Sequence, residues 1–342
     1  MAPATPPHPE VASSPPSATD ARWLAATARL AMRARPLSRP NPGVAALIVK
    51  DGRVIARGWT APGGRPHAEA VALAAAGARA AGATLYVTLE PCAHDSARGP
   101  ACADLVAASP LARVVAGVMD PDPRTAGAGL ARIRAAGKQA LHLPCPAARA
   151  SLEGYLMQRL AGRPFVTLKL ATSLDGCIAT AAGESQWITG AAARAHTHAL
   201  RAAADAILVG GGTWRADAPR LDVRLAGLES RSPARWVLTH GPVGAGWQAL
   251  AAPEAIHTAM PDVQYLFVEG GAGAAAAFLG AGLVDRVLLY RAPLFIGGGK
   301  PCLGDVGLGP LADAHGQWRH ADHRQLGKDT LDIYERAPCS PA

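Results

Sequence analysis

The chain has 342 residues, of which 49% are hydrophobic and 18% are charged. This length exceeds what one hydrophobic core usually organises, so the sequence predicts two domains. The formal net charge is +8, but the basic residues are scattered through both halves, which excludes a continuous basic tract and suits phosphorylated small molecules as well as nucleic acid. No apolar run reaches the ~18 residues of a membrane span. The chain has six cysteines and no pattern of a secretory leader, which predicts reduced thiols and a cytoplasmic protein.

The first third of the chain predicts a tail followed by an α/β domain. Residues 1–19 are rich in Pro, Ala and Ser without periodicity, which is typical of a disordered tail. From residue 20 to residue 146 strand and helix patterns alternate, and the Asp51-Gly52 pair predicts a hairpin turn. The predicted elements are a helix at 20–34, strands at 44–50 and 53–58, a helix at 67–80, a strand at 84–89, a helix at 102–108, a strand at 114–118 and a helix at 127–136.

The remaining sequence predicts a linker and a second α/β domain. A connecting helix at 147–160 lies within a linker predicted at 147–163, and the second domain is predicted at 164–338. Its predicted elements are strands at 165–171, 206–209, 235–239, 265–269 and 286–290, and helices at 191–204 and 274–283.

One imidazole and two thiols in the first domain form a candidate metal site. His67 opens a predicted helix, Cys92 follows a predicted strand, and Cys102 opens the next helix. Zn²⁺ prefers such ligands, and three of them leave a fourth position for water. Glu69 stands two residues after the imidazole, where a carboxylate can carry protons to and from that water without ligating the metal. The pattern predicts a zinc-dependent hydrolytic deaminase with Glu69 as the catalytic residue.

Each of these residues also has a simpler interpretation. A histidine can cap a helix, and most free cysteines are small buried hydrophobic residues. The combination of His-x-Glu, a strand ending in Pro-Cys and a second Cys favours the metal site.

A strand, a glycine turn and a helix in the second domain form a weaker pattern. Strand 265–269 runs into Gly270-Gly271-Ala272-Gly273 and then a helix, and residues 210–213 form a second glycine turn. Free amides at such a helix start can bind a dinucleotide phosphate. Close packing of a helix on a strand also requires glycines, and the pattern identifies no particular nucleotide.

The first domain resembles a known family through longer motifs. Pro40-Asn41-Pro42, Gly82-Ala83-Thr84 and residues 87–94 are similar to the cytidine-deaminase-like superfamily and, within it, to the deaminase half of the bifunctional riboflavin-biosynthesis deaminase-reductases. The resemblance implies that Asn41 and His94 contact a pyrimidine and that Arg98 meets its phosphate. Nine residues separate Cys92 from Cys102, one more than is usual in the family.

The second domain resembles the reductase half of the same family. The resemblance rests on Leu168-Lys169, residues 173–176 and 183–189, and Glu269-Gly270-Gly271. It implies an N-terminal cytidine-deaminase-like three-layer domain followed along the chain by a C-terminal domain with a dihydrofolate-reductase-like fold. NADPH is the implied second cofactor. The implied cofactor-binding residues are Ala171, Trp187, Thr213, Asp217, Gly271, Ala272 and Gly273. The implied substrate-binding residues are Ser185, Arg201, Leu221, Arg224 and Glu269.

The resemblance implies a bifunctional enzyme of riboflavin biosynthesis. It would deaminate 2,5-diamino-6-ribosylamino-4(3H)-pyrimidinone 5′-phosphate and then reduce the ribosyl group to a ribityl phosphate, as a homo-oligomer formed through the reductase domain, without nucleic acid or membrane as a partner. Two alternatives stay open: a deaminase whose second domain serves only binding or dimerisation, and a deaminase that edits nucleic acid. Substitutions relative to the family at Cys177, Ala218 and residues 239–240 make the reductase half the less typical one.

Overall fold

The computed structural model describes residues 17–337 and divides into two compact units, Met1–Arg159 and Leu160–Ala342. Residues 1–16 of the predicted tail lie outside the described residues, as do residues 338–342, which include the last residue of the predicted second domain. The tail was predicted to reach residue 19, but helix α1 begins at Ala18. Ser17 caps it, because the Ser17 hydroxyl accepts from the Asp20 N–H at 3.2 Å and the Asp20 carboxylate accepts from the Ser17 N–H at 2.9 Å.

The first unit consists of helices around a five-stranded sheet. Strands β1 to β5 are Ala45–Lys50, Arg53–Trp59, Thr84–Val87, Arg113–Ala116 and Gln139–His142. Helices α1 to α6 are Ala18–Ala31, Ala68–Ala76, Cys102–Ala108, Ala128–Ala135, Pro146–Ser151 and Glu153–Ala161. The β1–β2 hairpin is confirmed, and its turn residues Asp51 and Gly52 have φ of 50° and 71°, which the tight hairpin turn requires.

The sheet order brings the chemical residues to one edge. The order is β2-β1-β3-β4-β5, with β3, β4 and β5 parallel to one another. Loops that follow neighbouring parallel strands meet at the carboxyl edge of the sheet, so the loops after β3 and β4 lie side by side. Helix α2 lies close to β2 because Gly58 has no side chain: a Cβ there would lie 2.3 Å from the Ala68 carbonyl oxygen.

Most of the segment predicted as a linker, residues 147–159, is part of the first unit. The single helix predicted at 147–160 is two helices, α5 and α6, because the chain leaves helical geometry at Leu152, with φ −111° and ψ 7°. Ala148, Leu152, Tyr155 and Leu156 are buried in the core of the first unit. Apolar burial therefore holds both helices against the sheet.

The second unit is built on an eight-stranded mixed sheet. Strands β6 to β15 are Phe165–Thr172, Cys177–Ala179, Ala206–Gly210, Ala234–Leu238, Trp247–Leu250, Tyr265–Val268, Arg286–Arg291, Lys300–Pro301, Trp318–Leu326 and Asp329–Arg336. Helices α7 to α10 are Ala191–Arg201, Gly211–Asp217, Ile256–Ala259 and Ala272–Gly280. The main sheet has the order β10-β9-β8-β11-β6-β12-β15-β14, and β7 pairs with β13 in a small separate sheet.

The centre of this sheet positions the second site. Strands β8, β11 and β6 are parallel neighbours, so the residues that follow them share one edge. Strands β14 and β15 run antiparallel at the other side of the sheet and were not predicted. Among residues 17–337 no helix has the length and apolar character to cross a membrane.

Candidate active sites

His67, Cys92 and Cys102 lie together in the first unit. His67 precedes α2, Cys92 follows β3 on a loop, and Cys102 is the first residue of α3. His67 Nδ1 lies 3.3 Å from Cys102 Sγ and 3.6 Å from Cys92 Sγ, and the three ligand atoms fall within 4.8 Å of one another. Tetrahedral bonds of 2.0 to 2.3 Å place such atoms about 3.5 Å apart. The three residues therefore fit a zinc ion.

Hydrogen bonds favour the ligating form of Cys92. The Cys102 thiol bonds to Cys92, and this bond, with that of His67, outweighs burial and lowers the pKa of the Cys92 thiol. The backbone N–H of Cys102 also donates to Cys92 Sγ at 3.3 Å. Since the thiolate is the form that binds metal, the amide at the start of α3 prepares this ligand.

Glu69 lies in the first turn of α2, 3% exposed, and lines the same cavity as His67 and Cys92. Burial raises the pKa of Glu69 to about 7, although the nearby His67 opposes the rise. A carboxyl group with this pKa takes up and releases protons near neutrality, as a general acid and base must.

The cavity beside the three ligands has a volume of about 260 Å³, and Asn41, His94 and Arg98 all line it. Asn41 Nδ2 donates to the Gly64 carbonyl at 2.8 Å and lies 3.0 Å from His67 Nε2. His94 Nδ1 lies 3.4 Å from the Thr125 hydroxyl. The fold thus brings all three predicted substrate residues to the metal-ligand cluster.

The cavity also contains residues that were not predicted. Asp122 accepts from Arg124 at 2.9 and 2.6 Å and lies 3.4 Å from Arg159. The bond from Arg124 holds the pKa of the Asp122 carboxyl well below its usual range. Tyr155 donates its hydroxyl to Asp120 at 2.7 Å. Tyr155 and Arg159 reach the cavity only through the packing of α6, and no local motif marks them.

A buried carboxylate supports the loop that carries Cys92. Glu90 is 2% exposed and accepts from the N–H groups of Gly127 and Leu130 at 3.0 Å and of Asp120 at 3.3 Å. These bonds join the end of β3 to the loop after β4 and to the start of α4. Hydrogen bonds to a buried carboxylate are strong, so they hold the loop in place.

The second unit contains a larger cavity of about 770 Å³. Most of the predicted cofactor and substrate residues line it: Ala171, Ser185, Trp187, Arg201, Thr213, Asp217, Leu221, Arg224, Glu269 and Gly271. Ala272 and Gly273 are the first two residues of α10 and lie outside the residues that line the cavity. Trp187 is 64% exposed, and the Arg194 guanidinium lies 4.7 Å from its ring centroid, so Trp187 is a cavity wall and not a core residue.

Residues 210–213, predicted as a glycine turn, lie at the start of α8 and pack against the Gly271 turn beside this cavity. Gly271 has φ 73°, and a Cβ there would lie 2.6 Å from the Thr213 hydroxyl. A Cβ on Gly210 would lie 3.2 Å from the Ala274 side chain. These glycines therefore let the start of α10 pack closely against the segment after β8, and the free amides of the first turn of α10 are groups that can bind a phosphate.

A buried ionic cluster lies at the base of the same cavity. Arg201 donates to Glu269 at 2.5 and 2.9 Å, and Lys169 Nζ lies 3.9 Å from Glu269. Burial opposes ionisation of Glu269, but Arg201 and Lys169 outweigh it and lower its pKa; burial lowers the pKa of Lys169. Lys169 was not predicted as a site residue, although a cation in an apolar strand is itself a signal of a site.

Two family models match the chain. The model described as "Cytidine and deoxycytidylate deaminase zinc-binding region" matches residues 17–118, and that described as "RibD C-terminal domain" matches residues 164–243 and 256–331. The first match contains the His67, Cys92 and Cys102 cluster, and the second contains the glycine turns.

Curated relatives cover nearly the whole chain. The riboflavin biosynthesis protein RibD of Escherichia coli K12 is 37% identical over 359 aligned positions, which cover 91% of this chain and 97% of the relative. The protein of the same name from Mycobacterium tuberculosis H37Rv is 39% identical over 308 positions, covering 85% and 90%.

Solved structures agree with the sequence matches. The Acinetobacter baumannii RibD structure, form 1, superimposes with a TM-score of 0.83 at 32% identity, covering 94% of this chain and 99% of the other. The Thermotoga maritima diaminohydroxyphosphoribosylaminopyrimidine deaminase/5-amino-6-(5-phosphoribosylamino)uracil reductase superimposes with a TM-score of 0.80 at 29% identity, covering 93% and 99%. With its zinc-ligand cluster and its glycine-turn cavity, the chain belongs to the RibD family of riboflavin biosynthesis proteins.

Proposed function

We propose that this chain catalyses two consecutive steps of riboflavin biosynthesis. The first unit deaminates 2,5-diamino-6-ribosylamino-4(3H)-pyrimidinone 5′-phosphate, and the second reduces the ribosyl group of the product to a ribityl phosphate. The cofactors are zinc and NADPH. The observation that carries the proposal is that one chain holds both a His-Cys-Cys cluster with a buried glutamate and a large cavity with glycine turns.

In the deaminase unit His67, Cys92 and Cys102 hold the metal. Zinc held there would lower the pKa of a water molecule and so activate it for attack near neutral pH. Glu69 would take one proton from this water and pass it to the ring nitrogen, and would then carry the remaining hydroxyl proton to the amino group, which leaves as ammonia while a carbonyl forms in its place. This role is supported by the burial of Glu69 in the cavity wall beside two of the ligands.

The pyrimidine lies beside this cluster. Asn41 and His94 contact its ring, and Arg98 binds the 5′-phosphate, because each of these side chains lines the same cavity. A guanidinium suits a phosphate through several N–H donors in one plane.

In the reductase unit the residues align two ligands. NADPH supplies the hydride. Trp187, Thr213 and Asp217, with Ala171 and residues 271–273, hold the cofactor, since most of these residues line the cavity and the free amides at the start of α10 suit a phosphate. The residues that face the ribosyl phosphate are Ser185, Arg201, Leu221, Arg224 and Glu269. Hydride transfer depends mainly on alignment of the two partners, which the Arg201–Glu269 pair helps to fix.

We also infer a cytoplasmic location and a homo-oligomer formed through the second unit. Reducing compartments keep cysteines unpaired, as the two metal-binding thiols require. Phe295 and Leu311 are 76% and 72% exposed in the second unit, and large exposed apolar side chains suit an interface between copies.

A coupled assay with the diaminopyrimidine phosphate tests the two activities. We expect ammonia release first and NADPH consumption afterwards. In Glu69→Gln, we expect zinc content to stay at the wild-type level and ammonia release to fall by about 10² to 10⁴-fold, because the proton carrier is lost. NADPH consumption with the separately prepared deaminated intermediate is the internal control.

Other results would contradict the proposal in distinct ways. Normal ammonia release by Glu69→Gln would remove the catalytic role of this residue. Ammonia release without any NADPH consumption would leave a deaminase alone, and deamination of a polynucleotide by the wild-type protein would favour an editing enzyme.

A further inference from the structure

Two loops at the rim of the deaminase cavity exchange arginine contacts. Arg98, on the loop between Cys92 and Cys102, donates to the Gly63 carbonyl at 2.5 Å. Arg65, on the loop before His67, donates in the opposite direction to the Pro100 carbonyl at 3.3 Å. Both guanidinium groups therefore lie at the junction of the two loops, and both side chains line the cavity.

The loop between the cysteines leaves room for this arrangement. A Cβ on Gly99 would lie 3.1 Å from Arg65 Nη1, and Gly99 has φ 138°, a conformation that side chains disfavour. Gly99 also closes a tight turn with Ser96 through hydrogen bonds of 3.0 and 3.3 Å. The turn that presents Arg98 thus also allows the Arg65 guanidinium to lie against it.

The charges of the cavity separate its four arginines into two pairs. Arg124 and Arg159 both face the carboxylate of Asp122, at 2.6 and 3.4 Å. In the described part of the chain, Arg65 and Arg98 have no carboxylate within 4.0 Å. Two cations on facing loops repel each other unless an anion lies between them.

We propose that Arg65 joins Arg98 in binding the 5′-phosphate of the pyrimidine substrate and so adds to the preference of the deaminase for the phosphorylated substrate. The proposal rests on the proposed deaminase function and adds Arg65 as a specificity residue. A guanidinium has five N–H donors. Since each of these two gives one N–H to a carbonyl, several donors on each side remain for phosphate oxygens.

The test compares the phosphorylated substrate with its dephosphorylated ribonucleoside. For each variant we take kcat/KM for ammonia release with the two compounds and form their ratio. In Arg65→Gln and in Arg98→Gln, the ratio is expected to fall by about 10 to 100-fold, the size of a lost charged hydrogen bond. Arg65→Lys keeps the charge without the planar donor set, so its kcat/KM ratio should lie between the ratios of the wild type and of Arg65→Gln. The control is Arg57→Gln, an exposed arginine on β2 away from the cavity, which should keep the wild-type ratio.

A purely structural bracing role predicts another result. If Arg65 only holds the two loops together, Arg65→Gln lowers kcat/KM equally for both compounds and the ratio stays constant, which overturns the proposal. An unaltered kcat/KM for the phosphorylated compound also overturns it.

Binding of inorganic phosphate separates this inference from the proposed function. By calorimetry, wild-type protein is expected to bind phosphate at this cavity about 10-fold more tightly than Arg65→Gln, with equal zinc contents. Equal phosphate affinities would refute the role of Arg65 even in an active deaminase. A wild-type protein that binds phosphate in this Arg65-dependent way but releases no ammonia would refute the proposed function and leave the anion site standing.

Discussion

Gly271 lies where the chain has no room for a side chain. Its φ of 73° is a conformation that side chains disfavour, and a Cβ added there would lie 2.6 Å from the Thr213 hydroxyl oxygen. Both facts exclude larger residues. Gly273, two residues later in α10, has no heavy atom within 4 Å of an added Cβ. Two glycines in one turn are therefore under different constraints.

The constraint on Gly271 gives a prediction with a matched control. Gly271→Ala is expected to raise the KM for NADPH at least about tenfold and to lower the free energy of unfolding by about 1 to 3 kcal/mol, because of backbone strain and the clash with Thr213. The control is Gly244→Ala, in the loop before β10 and outside the cavity lining, where an added Cβ meets no atom within 4 Å; it should retain the wild-type KM. Initial rates of NADPH consumption and urea titration measure the two effects. Equal KM values in the two variants would show that the turn does not approach the cofactor.

For single residues, the sequence predicted the site residues that stand in short motifs and missed those that are brought together from distant segments. His67, Glu69, Cys92 and Cys102 stand in short segments whose residue types have chemical meaning by themselves, and the fold brings them together. Asp122, Arg124 and Arg159 come from two distant segments, and their contacts depend on how α6 packs. Sequence spacing alone does not reveal such contacts.

At the scale of elements, the hairpin of β14 and β15 supports the second site. Asp329 is buried at the start of β15, and its Oδ2 accepts from the Gly190 N–H at 2.6 Å. Gly190 precedes α7, so this bond satisfies one of the amides at the helix start that have no partner within the helix. Trp187 and Arg194 lie on the two sides of Gly190.

Loss of this carboxylate should affect both stability and cofactor binding. Asp329→Ala is expected to lower the free energy of unfolding by about 1 to 2 kcal/mol and to raise the KM for NADPH, because the loop with Trp187 loses its anchor. Thermal unfolding and initial rates are the measurements. The control is Asp305→Ala, an exposed carboxylate that accepts from Gly307 in its own turn. Similar results for the two variants would contradict an anchoring role.

Three of the strands that were not predicted share a physical reason. The hairpin at β1 and β2 has its own turn signal, but β5, β10 and β14 are at the sides of sheets, where few residues are buried. In β14, residues Trp318–Leu326, the sequence is mostly polar and the strand is held by pairing with β15. Strand propensity depends strongly on such tertiary pairing, which one sequence does not display.

On the scale of the whole molecule, each cavity is lined by one unit. The residues around the first cavity lie between Pro40 and Arg159, and those around the second lie between Lys169 and Cys302. Each unit also has its own apolar core. Among the described residues, the lining of each cavity thus comes from a single unit.

We therefore predict that two defective proteins complement each other. Glu69→Gln should make the deaminated intermediate about 10² to 10⁴-fold more slowly than the wild type, and Glu269→Gln should accumulate it because reduction is impaired. A mixture of the two should form the ribityl product after a lag, since the intermediate must first build up in solution. Chromatographic measurement of the product over time checks this. Absence of product from the mixture, with each remaining activity intact, would show that the intermediate is not released.

The packing of α6 also determines where the deaminase can be separated from the rest of the gene. A fragment ending at residue 146 would lack Tyr155, the hydroxyl partner of buried Asp120, and Arg159, the second cation beside Asp122. It would also uncover the apolar surface that α5 and α6 protect. The smallest fragment that retains the complete wall of the first cavity runs through Arg159, so a stop codon for an independent deaminase belongs after that position.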